Sequence, residues 1–455
     1  MINKNDVITV QVVSISFEGF GVAKYRDADL TDFIIFINGA IPGDTILCKV
    51  VKVLKKYCFA KIEQIITPSK NRILSDCPSF GRCGGCSFRH VPYEVELNYK
   101  QEFFETAFRR QNPANTCKIG SVIPSPQINH YRNKAQLPFS QDGYCSFFAR
   151  GSHRCIKQDN CMLNDVAFKT IIHVVEDFIK KFGISCYNEQ TGQGLLRHLC
   201  IRKAPSTGQI LVCFVLNGTD IPHKIQLIDA LTKNVDIQSI YINVNTKNTN
   251  VIYGAKCILL WGQESITDNL CGLDFKIAPL SFYQINSPQT ENIYSFINDI
   301  VEPRSEDIVL DLYCGIGTIG LTMAKKVKRV IGIEVVEQAV SNATENALNN
   351  NIKNAAFYKT SANDAGNILS TLTKDNNPSI IIVDPPRKGL DEKTLNLIHT
   401  ISPAKFIYIS CNPITAARDI ENLTTSSDYE TNLIQPFDMF PRTSHIESVI
   451  MMTKH

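Results

Sequence analysis

A cysteine follows a buried strand near the C-terminal end of the chain. The apolar run 406–409 leads into a turn at 410–413 that contains Cys411. A thiol in this position is where an α/β enzyme places a nucleophile. A second apolar run, 309–312, leads into a glycine-rich turn and a helix start, which is how a nucleotide-like cofactor is held. Together the two segments predict group transfer by a cysteine nucleophile with a nucleoside-bearing cofactor.

Acidic residues end the strands around this glycine turn. Asp311 ends the first strand, and Glu334 ends the next, where an acid accepts hydrogen bonds from ribose hydroxyls. From Gly315 the spacing is G-x-G-x-x-G, so NAD is a candidate cofactor. The Asp384-Pro-Pro loop after the run 380–383 favours a planar base and a sulfonium methyl group, because hydride transfer needs no such loop.

Strands and helices alternate from about residue 276, which predicts an α/β domain with a parallel, doubly wound sheet of the Rossmann type. The predicted strands are 307–312, 329–333, 379–383, 405–409 and 446–452, and the predicted helices between them include 337–351 and 391–400.

The N-terminal residues 1–67 alternate short strands with turns and contain no long helical pattern. This predicts a small β-barrel of the OB type, a fold that often binds nucleic acids. The lysines in this region form either a basic rim for RNA or a solvated edge that prevents aggregation. They are Lys52, Lys55, Lys56 and Lys61.

The middle of the chain, predicted as an α+β domain, begins with three closely spaced cysteines. Cys77, Cys83 and Cys86 have five and two residues between them, and the glycines at 81, 84 and 85 let their sulfurs converge. With a fourth cysteine, either Cys155 or Cys161, four thiolates hold zinc or a [4Fe–4S] cluster. Spacing alone does not choose between the two metals.

Cations and aromatic residues are interleaved between residues 130 and 157, after a predicted amphipathic helix at 93–111. This composition indicates either contact with RNA or a sheet with its rings inward and its cations outward. The residues are His130, Tyr131, Arg132, Lys134, Phe139, Tyr144, Phe147, Phe148, Arg150, His153, Arg154 and Lys157.

Composition sets broad limits on the class of protein. A length of 455 residues predicts two or three domains, and a net charge of +3 neither requires nor excludes nucleic acid. We expect no signal peptide at the N-terminus, and no apolar run approaches the ~20 residues of a membrane span. The 16 cysteines predict a cytoplasmic protein with reduced thiols, some of them metal ligands or catalysts.

Over nearly its whole length the chain resembles the S-adenosylmethionine-dependent RNA uracil-5-methyltransferases, specifically the iron–sulfur 23S rRNA branch with an N-terminal TRAM domain. The landmarks are Gly19 and Gly21, Ile41-Pro-Gly-Asp44, the three spaced cysteines, Ser281-Phe-Tyr-Gln-Ile-Asn286, 311–317, Asp384-Pro-Pro-Arg387, Ser410-Cys-Asn-Pro413 and His445-Ile-Glu-Ser-Val449.

The resemblance implies methyl transfer from S-adenosyl-L-methionine to carbon 5 of a 23S rRNA uridine, of the uracil-1939 type, with Cys411 as nucleophile and Glu447 as base. It implies cofactor contacts from Gln284, Tyr313, Thr318, Glu334 and Asp384, and a [4Fe–4S] cluster held by Cys77, Cys83, Cys86 and Cys161. We expect a monomer without an obligate protein partner, with a TRAM domain at 1–67, a central domain at 68–275 and a methyltransferase domain at 276–455.

Four alternatives stay open at this point. A tRNA uracil-54 methyltransferase is one, although its short type lacks the barrel and the cysteine cluster. An enzyme that methylates an exocyclic amine of RNA would use the Asp-Pro-Pro loop but would need no cysteine. A non-catalytic RNA-binding assembly factor would use the barrel and the basic middle of the chain, and an NAD-linked redox protein would use the metal cluster.

Overall fold

The computed structural model describes residues 2–26, 32–158, 160–371, 377–426 and 429–454. The N-terminal strands form a closed barrel in the order β1-β2-β3-β5-β4, which confirms the predicted barrel. Alternate residues of each strand, such as Ile35 and Ile37, are buried inside it, as a strand with one polar face requires. The strands are β1 (Val7–Ile15), β2 (Phe20–Arg26), β3 (Asp32–Asn38), β4 (Thr45–Val53) and β5 (Tyr57–Thr67).

The middle of the chain contains a five-stranded sheet in the order β12-β11-β10-β9-β6, the helices α1, α2 and α3, and two hairpin-like pairs, β7–β8 and β13–β14. Apolar residues of α2 and α3 share one core with this central sheet. The elements are α1 (Tyr93–Gln111), β6 (Lys134–Pro138), β7 (Ser146–Phe148), β8 (Cys155–Lys157), α2 (Phe168–Phe182), β9 (Leu196–Lys203), β10 (Ile210–Leu216), α3 (Lys224–Asn234), β11 (Ser239–Val244), β12 (Lys256–Gly262), β13 (Ile266–Leu270) and β14 (Leu273–Ile277).

The C-terminal part is a seven-stranded sheet in the order β17-β16-β15-β18-β19-β21-β20 with helices between its strands. Its buried strands are short apolar runs, as expected for a sheet that is covered on both faces. The elements are α4 (Ser287–Val301), β15 (Ile308–Leu312), α5 (Thr318–Met323), β16 (Arg329–Glu334), α6 (Glu337–Asn349), β17 (Ala355–Lys359), α7 (Ala365–Thr371), β18 (Ile380–Val383), α8 (Glu392–Ile401), β19 (Lys405–Ser410), α9 (Pro413–Ser426), β20 (Tyr429–Phe437) and β21 (Glu447–Lys454).

The prediction of a wholly parallel sheet is wrong at one edge. Strands β15 to β19 pair in parallel, but β21 runs antiparallel to β19, and β20, which the sequence analysis missed, pairs antiparallel to β21. An antiparallel neighbour needs no crossover helix, and the segment 438–446 between β20 and β21 contains none. The reversal places the start of β21 beside the end of β19.

Helix α1 shares a core with the C-terminal sheet, although the predicted central domain includes it. Phe104 and Phe108 pack in one cluster with residues of α9, among them Ala417 and Ile420. Buried Lys100 forms ion pairs with Glu96 of the same helix, at 2.9 Å, and with Asp438, at 2.7 Å. Asp438 lies in the segment between β20 and β21. Among the described residues no helix is both long and apolar enough to cross a membrane.

Candidate active site

Cys411 and Glu447 become neighbours through the antiparallel pairing of β19 with β21. The register pairs Ser410 with Ser448, so the next position along places Cys411 opposite Glu447. Directly opposed residues of an antiparallel pair have Cα atoms about 5 Å apart and side chains on the same face. The strand register therefore brings together a thiol and a carboxyl group that are distant in sequence.

The surroundings of Cys411 hold its thiol in the neutral form. Burial, followed by the carboxylates of Glu447 and Asp384, raises the pKa of Cys411 to about 11, while the Arg387 guanidinium opposes this shift. Burial also raises the pKa of Glu447 well above its usual range, with a further contribution from Asp384. One oxygen of Glu447, Oε1, has no hydrogen-bond partner among the described residues. The carboxyl group thus has an atom free to exchange a proton with a substrate.

Arg387 is an active-site cation that the sequence analysis quoted only as part of a motif. Its backbone carbonyl accepts hydrogen bonds from Asn412 Nδ2 at 2.9 Å and Thr415 Oγ1 at 3.2 Å, which fixes the loop after β18 against the start of α9. Its Nη2 lies 3.5 Å from Nε2 of His445. Burial and the nearby cations lower the pKa of His445 to about 4, so its imidazole is neutral at physiological pH.

The glycine turn after β15 is arranged around carboxylates. Asp311 is buried, and its Oδ2 accepts a hydrogen bond from Gly320 N at 2.9 Å, whereas its Oδ1 has no partner among the described residues. Glu334 accepts from Gly315 N at 3.2 Å and from the two backbone N–H groups that follow it, at 2.8 and 2.9 Å. The backbone of Gly315 has a φ of 55°, and a side chain there would point into open space.

Asp384 lies between the glycine turn and the thiol. Burial raises its pKa to about 7, and it acts in turn on the pKa of Asp311, Cys411 and Glu447. Burial and the charges of Asp384 and Glu334 raise the pKa of Asp311 to about 7. Several carboxyl groups crowded at one sheet edge raise one another's pKa, and a cationic ligand relieves this repulsion.

The remaining predicted cofactor residues lie on the loops around this edge. Tyr313, at a φ of 65°, begins the glycine turn, and Thr318 opens α5, where its hydroxyl lies 2.9 Å from Tyr294 of α4. Gln284 lies on the loop before α4 and is fixed through its backbone carbonyl, which accepts from Asn133 Nδ2 at 2.8 Å. Two residues before Gln284, the side chain of Phe282 is 66% exposed, which is unusual for a large aromatic ring. The sequence analysis quoted this ring in a motif but gave it no role.

The four cysteines predicted as metal ligands line one cavity of about 570 Å³, together with Arg89 and Arg132. Cys155, the competing fourth ligand, does not line it. In the described ranges all 16 cysteines are free thiols, and no group of three or more His, Cys, Asp or Glu side chains is arranged to hold a metal ion. The cavity therefore brings the four thiols together without the close spacing that one metal ion requires.

The cysteine segment also forms a wall of the catalytic pocket, although it is far from Cys411 in sequence. This pocket of about 420 Å³ is lined by Cys411 and Arg387, by Glu18 of the barrel, and by Gly84 and Arg150, which line the cysteine cavity as well. Arg150 donates a hydrogen bond to the Glu18 carbonyl, and its guanidinium lies 4.2 Å from the ring centroid of Phe20. The barrel, the cysteine segment and the C-terminal sheet therefore meet at Cys411.

Two family models match the chain. One, a TRAM domain, matches residues 3–62, and the other, described as tRNA (Uracil-5-)-methyltransferase, matches residues 92–455. The chain belongs to the tRNA (uracil-5-)-methyltransferase family. The family is one of RNA methyltransferases, so the chain is an enzyme of that class with an N-terminal TRAM domain.

Relatives of this methyltransferase match it over nearly its full length. An uncharacterized RNA methyltransferase of Halalkalibacterium halodurans is 38% identical over 99% of this chain and 98% of its own length. An uncharacterized RNA methyltransferase of Staphylococcus epidermidis is 37% identical over 100% of this chain and 98% of its own length. The solved tRNA (uracil-54, C5)-methyltransferase of Pyrococcus abyssi, in complex with S-adenosyl-L-homocysteine, is 28% identical over 98% of this chain and 99% of its own, with a TM-score of 0.78.

The Pyrococcus match limits what the barrel says about the RNA substrate. The barrel and the cysteine cluster together separate the 23S rRNA branch from the short tRNA uracil-54 type. A tRNA enzyme that aligns with 98% of this chain spans the barrel as well. The overall architecture of the methyltransferase therefore does not distinguish between the two RNA substrates.

Proposed function

We propose that the protein transfers a methyl group from S-adenosyl-L-methionine to carbon 5 of a uridine in RNA through a covalent bond between Cys411 and carbon 6. The observation that carries the proposal is the register that places Cys411 opposite Glu447. A uracil-5-methyltransferase needs one nucleophile and one base as its minimum set. The family model and the methyltransferase relatives support the same reaction class.

The carboxyl edge of the sheet fits the cofactor. Asp311 has a buried oxygen with no hydrogen-bond partner in the part of the chain that the structure describes, and Gly315 leaves open space beside Glu334. In this proposal Glu334 and Asp384 contact the cofactor, together with Gln284, Tyr313 and Thr318 from the surrounding loops. When bound, S-adenosylmethionine supplies an electrophilic methyl group on a sulfonium cation. The crowded carboxylates are suited to that positive charge.

Cys411 makes carbon 5 reactive. Carbon 5 of uracil is a poor nucleophile until a thiolate adds to carbon 6, which leaves an enolate whose negative charge is shared with carbon 5. The raised pKa of Cys411 means that its thiol is neutral before RNA binds. We infer that its proton passes to solvent as the uridine enters, with the positive charge of Arg387 stabilising the thiolate.

Glu447 completes the reaction as the base. After methylation, carbon 5 still carries its original proton, and the carbon–sulfur bond breaks only once that proton has been removed. Among the described residues Glu447 Oε1 has no hydrogen-bond partner, and the residue lies opposite Cys411. Burial raises the pKa of Glu447, which makes its carboxylate a stronger base for this step.

We propose that Cys77, Cys83, Cys86 and Cys161 hold a [4Fe–4S] cluster. Their common cavity and the two arginines that act on the Cys86 thiol support a group held by four thiolates, and the resemblance favours a cluster over zinc. The buried Arg132 Nε has no partner among the described residues and suits an anionic cluster. The mechanism above needs no electron, so the cluster's role is to hold the wall of the catalytic pocket.

We propose 23S rRNA as the substrate because of the resemblance carried by the cysteine segment. The Pyrococcus relative, which acts on uracil 54 of tRNA, makes tRNA the second candidate. Purified protein is incubated with labelled S-adenosylmethionine and RNA from cells that lack it, and 23S rRNA and tRNA are separated before digestion to nucleosides. The Cys411→Ala variant is the control.

Each candidate function predicts a different labelled product in this experiment. Label in 5-methyluridine from 23S rRNA supports the whole proposal, and mapping then locates the uridine. Label in 5-methyluridine from tRNA keeps the reaction and changes the substrate. Label in a methylated adenosine or guanosine rejects the Cys411 mechanism, and the absence of label in any RNA favours an assembly factor.

A further inference from the structure

A second pocket, of about 410 Å³, opens on the central sheet outside the catalytic pocket, and we call it the outer pocket. Phe148 of β7, His153 and Arg154 before β8, Tyr187, and Arg197 of β9 line it. Rings interleaved with cations are the means by which proteins hold unstacked nucleotides. The basic and aromatic stretch at 130–157 thus supplies part of a concave surface, and the mechanism of methyl transfer uses none of it.

Two ring contacts order the walls of the outer pocket. The ring of His153 stacks on Phe148 with centroids 5.0 Å apart and an interplanar angle of 29°. His153 is exposed, so it can present a ring face to a base. On another wall, the guanidinium of Arg197 lies 4.4 Å from the ring centroid of Tyr187. Stacked pairs of this kind lose little conformational entropy when a planar ligand binds.

Arg197 has a hydrogen-bond donor to spare. The residue is only 3% exposed, and its Nη1 donates to the carbonyls of Asn245 and Lys247 at 2.9 and 2.7 Å. Its Nε has no partner among the described residues. A buried charged donor without a partner is costly, and Arg197 is one of the residues that line the outer pocket.

The outer pocket adjoins the catalytic pocket through the cysteine cavity. Phe148 and His153 line both the outer pocket and the cysteine cavity. Gly84, Gly85 and Arg150 line both the cysteine cavity and the catalytic pocket. The three cavities therefore form a continuous series from Cys411 to Arg197.

We propose that the outer pocket binds an unstacked nucleotide of the RNA substrate, at a position other than the target uridine. The inference rests on the proposed function, since RNA is the ligand. The His153 ring stacks on the base, Arg154 contacts a phosphate, and Arg197 Nε donates to an oxygen of the nucleotide. Glu189, which also lines the pocket, accepts from a base amino group, so a nucleotide fits this lining better than a free phosphate.

The test measures binding separately from methylation. A fluorescein-labelled single-stranded RNA of mixed sequence and about ten nucleotides is titrated into the full-length protein and followed by anisotropy. His153→Ala/Arg154→Ala changes two exposed side chains, and Lys233→Ala, on α3, is the control that removes one exposed cation outside the pocket. We expect about tenfold weaker binding for the double variant and unchanged binding for the control.

Ultraviolet crosslinking of the same RNA, followed by mass spectrometry, locates the contact. Crosslinks in 148–154 or 187–190 are expected. Equal affinity of the double variant and the control, or crosslinks confined to other segments, would overturn the inference. If RNA binds through the outer pocket but no cellular RNA acquires 5-methyluridine, the proposed function fails and the pocket stands.

Discussion

The backbone N–H of Ser87 donates a hydrogen bond to the carbonyl of Arg442 at 2.8 Å, and this bond joins the cysteine segment to the loop that leads to Glu447. The N–H of Arg442 donates in turn to buried Glu96 Oε1 of α1 at 2.6 Å. The loop that leads to Glu447 is thus fixed by two elements outside the methyltransferase sheet. In the proposed mechanism this arrangement gives the cysteine segment a structural role without any electron transfer.

Removing one cluster ligand is therefore expected to weaken catalysis through the pocket wall. Anaerobically purified Cys83→Ser should lose most of its iron, bind RNA more weakly and methylate RNA at least about tenfold more slowly, because Gly84 and Gly85 no longer hold their positions. Iron analysis, RNA anisotropy and methylation rate are the measurements.

Cys155→Ser is the matched control for this variant, because Cys155 lines the outer pocket and not the cysteine cavity. It should retain its iron. Loss of iron in Cys155→Ser with full iron in Cys161→Ser would reverse the ligand assignment. Intact folding, iron and RNA binding in Cys83→Ser would reject the structural role.

The rate at which the Cys411 thiol is alkylated should depend on the charges of its neighbours. Since its pKa is raised to about 11, alkylation by iodoacetamide should be slow at pH 7 and rise about tenfold per pH unit up to pH 9. Glu447→Gln removes a carboxylate that raises this pKa and should speed alkylation. Arg387→Ala removes the opposing cation and should slow it.

Mass spectrometry of the alkylated peptides reports on Cys411 separately from the other thiols. Cys271 is an internal reference, because partial burial and Glu291 raise its pKa to about 11 independently of the active site. Fast alkylation of wild-type Cys411 at pH 7, with Cys271 slow, would show that the free enzyme already contains the thiolate.

The buried ion network of α1 should matter for stability. Lys100→Ala removes the cation that the buried carboxylates of Glu96 and Asp438 share, while Arg442 stays 3.5 Å from Glu96, and this costs about 3–5 kcal/mol of unfolding free energy. Burial raises the pKa of Glu96 to about 7, above its unfolded value, so its charged form opposes folding increasingly as the pH rises through this range. The unfolding free energy that Lys100→Ala loses should therefore be larger at pH 8 than at pH 5.

Denaturant titration of wild type, Lys100→Ala and Arg110→Ala at both pH values measures this effect. Arg110 is an exposed cation of the same helix, and its removal should change the free energy of unfolding by no more than about 0.5 kcal/mol. A Lys100→Ala variant as stable as Arg110→Ala would show that the network contributes nothing to stability.

Sequence was sufficient for the local elements of the site. The apolar runs before Asp311, Asp384 and Cys411 are strands in the structure, because short runs bounded by glycine and proline predict buried strands well. Helix α1 was predicted with its observed bounds. These features depend on residues that are neighbours along the chain.

Relationships between distant segments could not be predicted in this way. The antiparallel register that pairs Cys411 with Glu447 depends on the reversal of β21, and periodicity carries no information about strand direction. The proximity of Gly84 to Cys411 depends on hydrogen bonds such as Ser87 to Arg442. In the sequence nothing separates Phe282 from an aromatic residue of the core, and only its exposure in the structure does so.

The central claim is that Cys411 bonds to the uridine and Glu447 releases it. Glu447→Gln is incubated with labelled RNA from cells lacking the protein and with S-adenosylmethionine, and the products are separated on a denaturing gel. We expect a protein–RNA adduct that persists in Glu447→Gln, is transient in wild type and is absent from Cys411→Ala/Glu447→Gln, with turnover of Glu447→Gln reduced by about 10²–10⁴-fold. Full turnover by Cys411→Ala, or an adduct that forms without Cys411, would contradict the account.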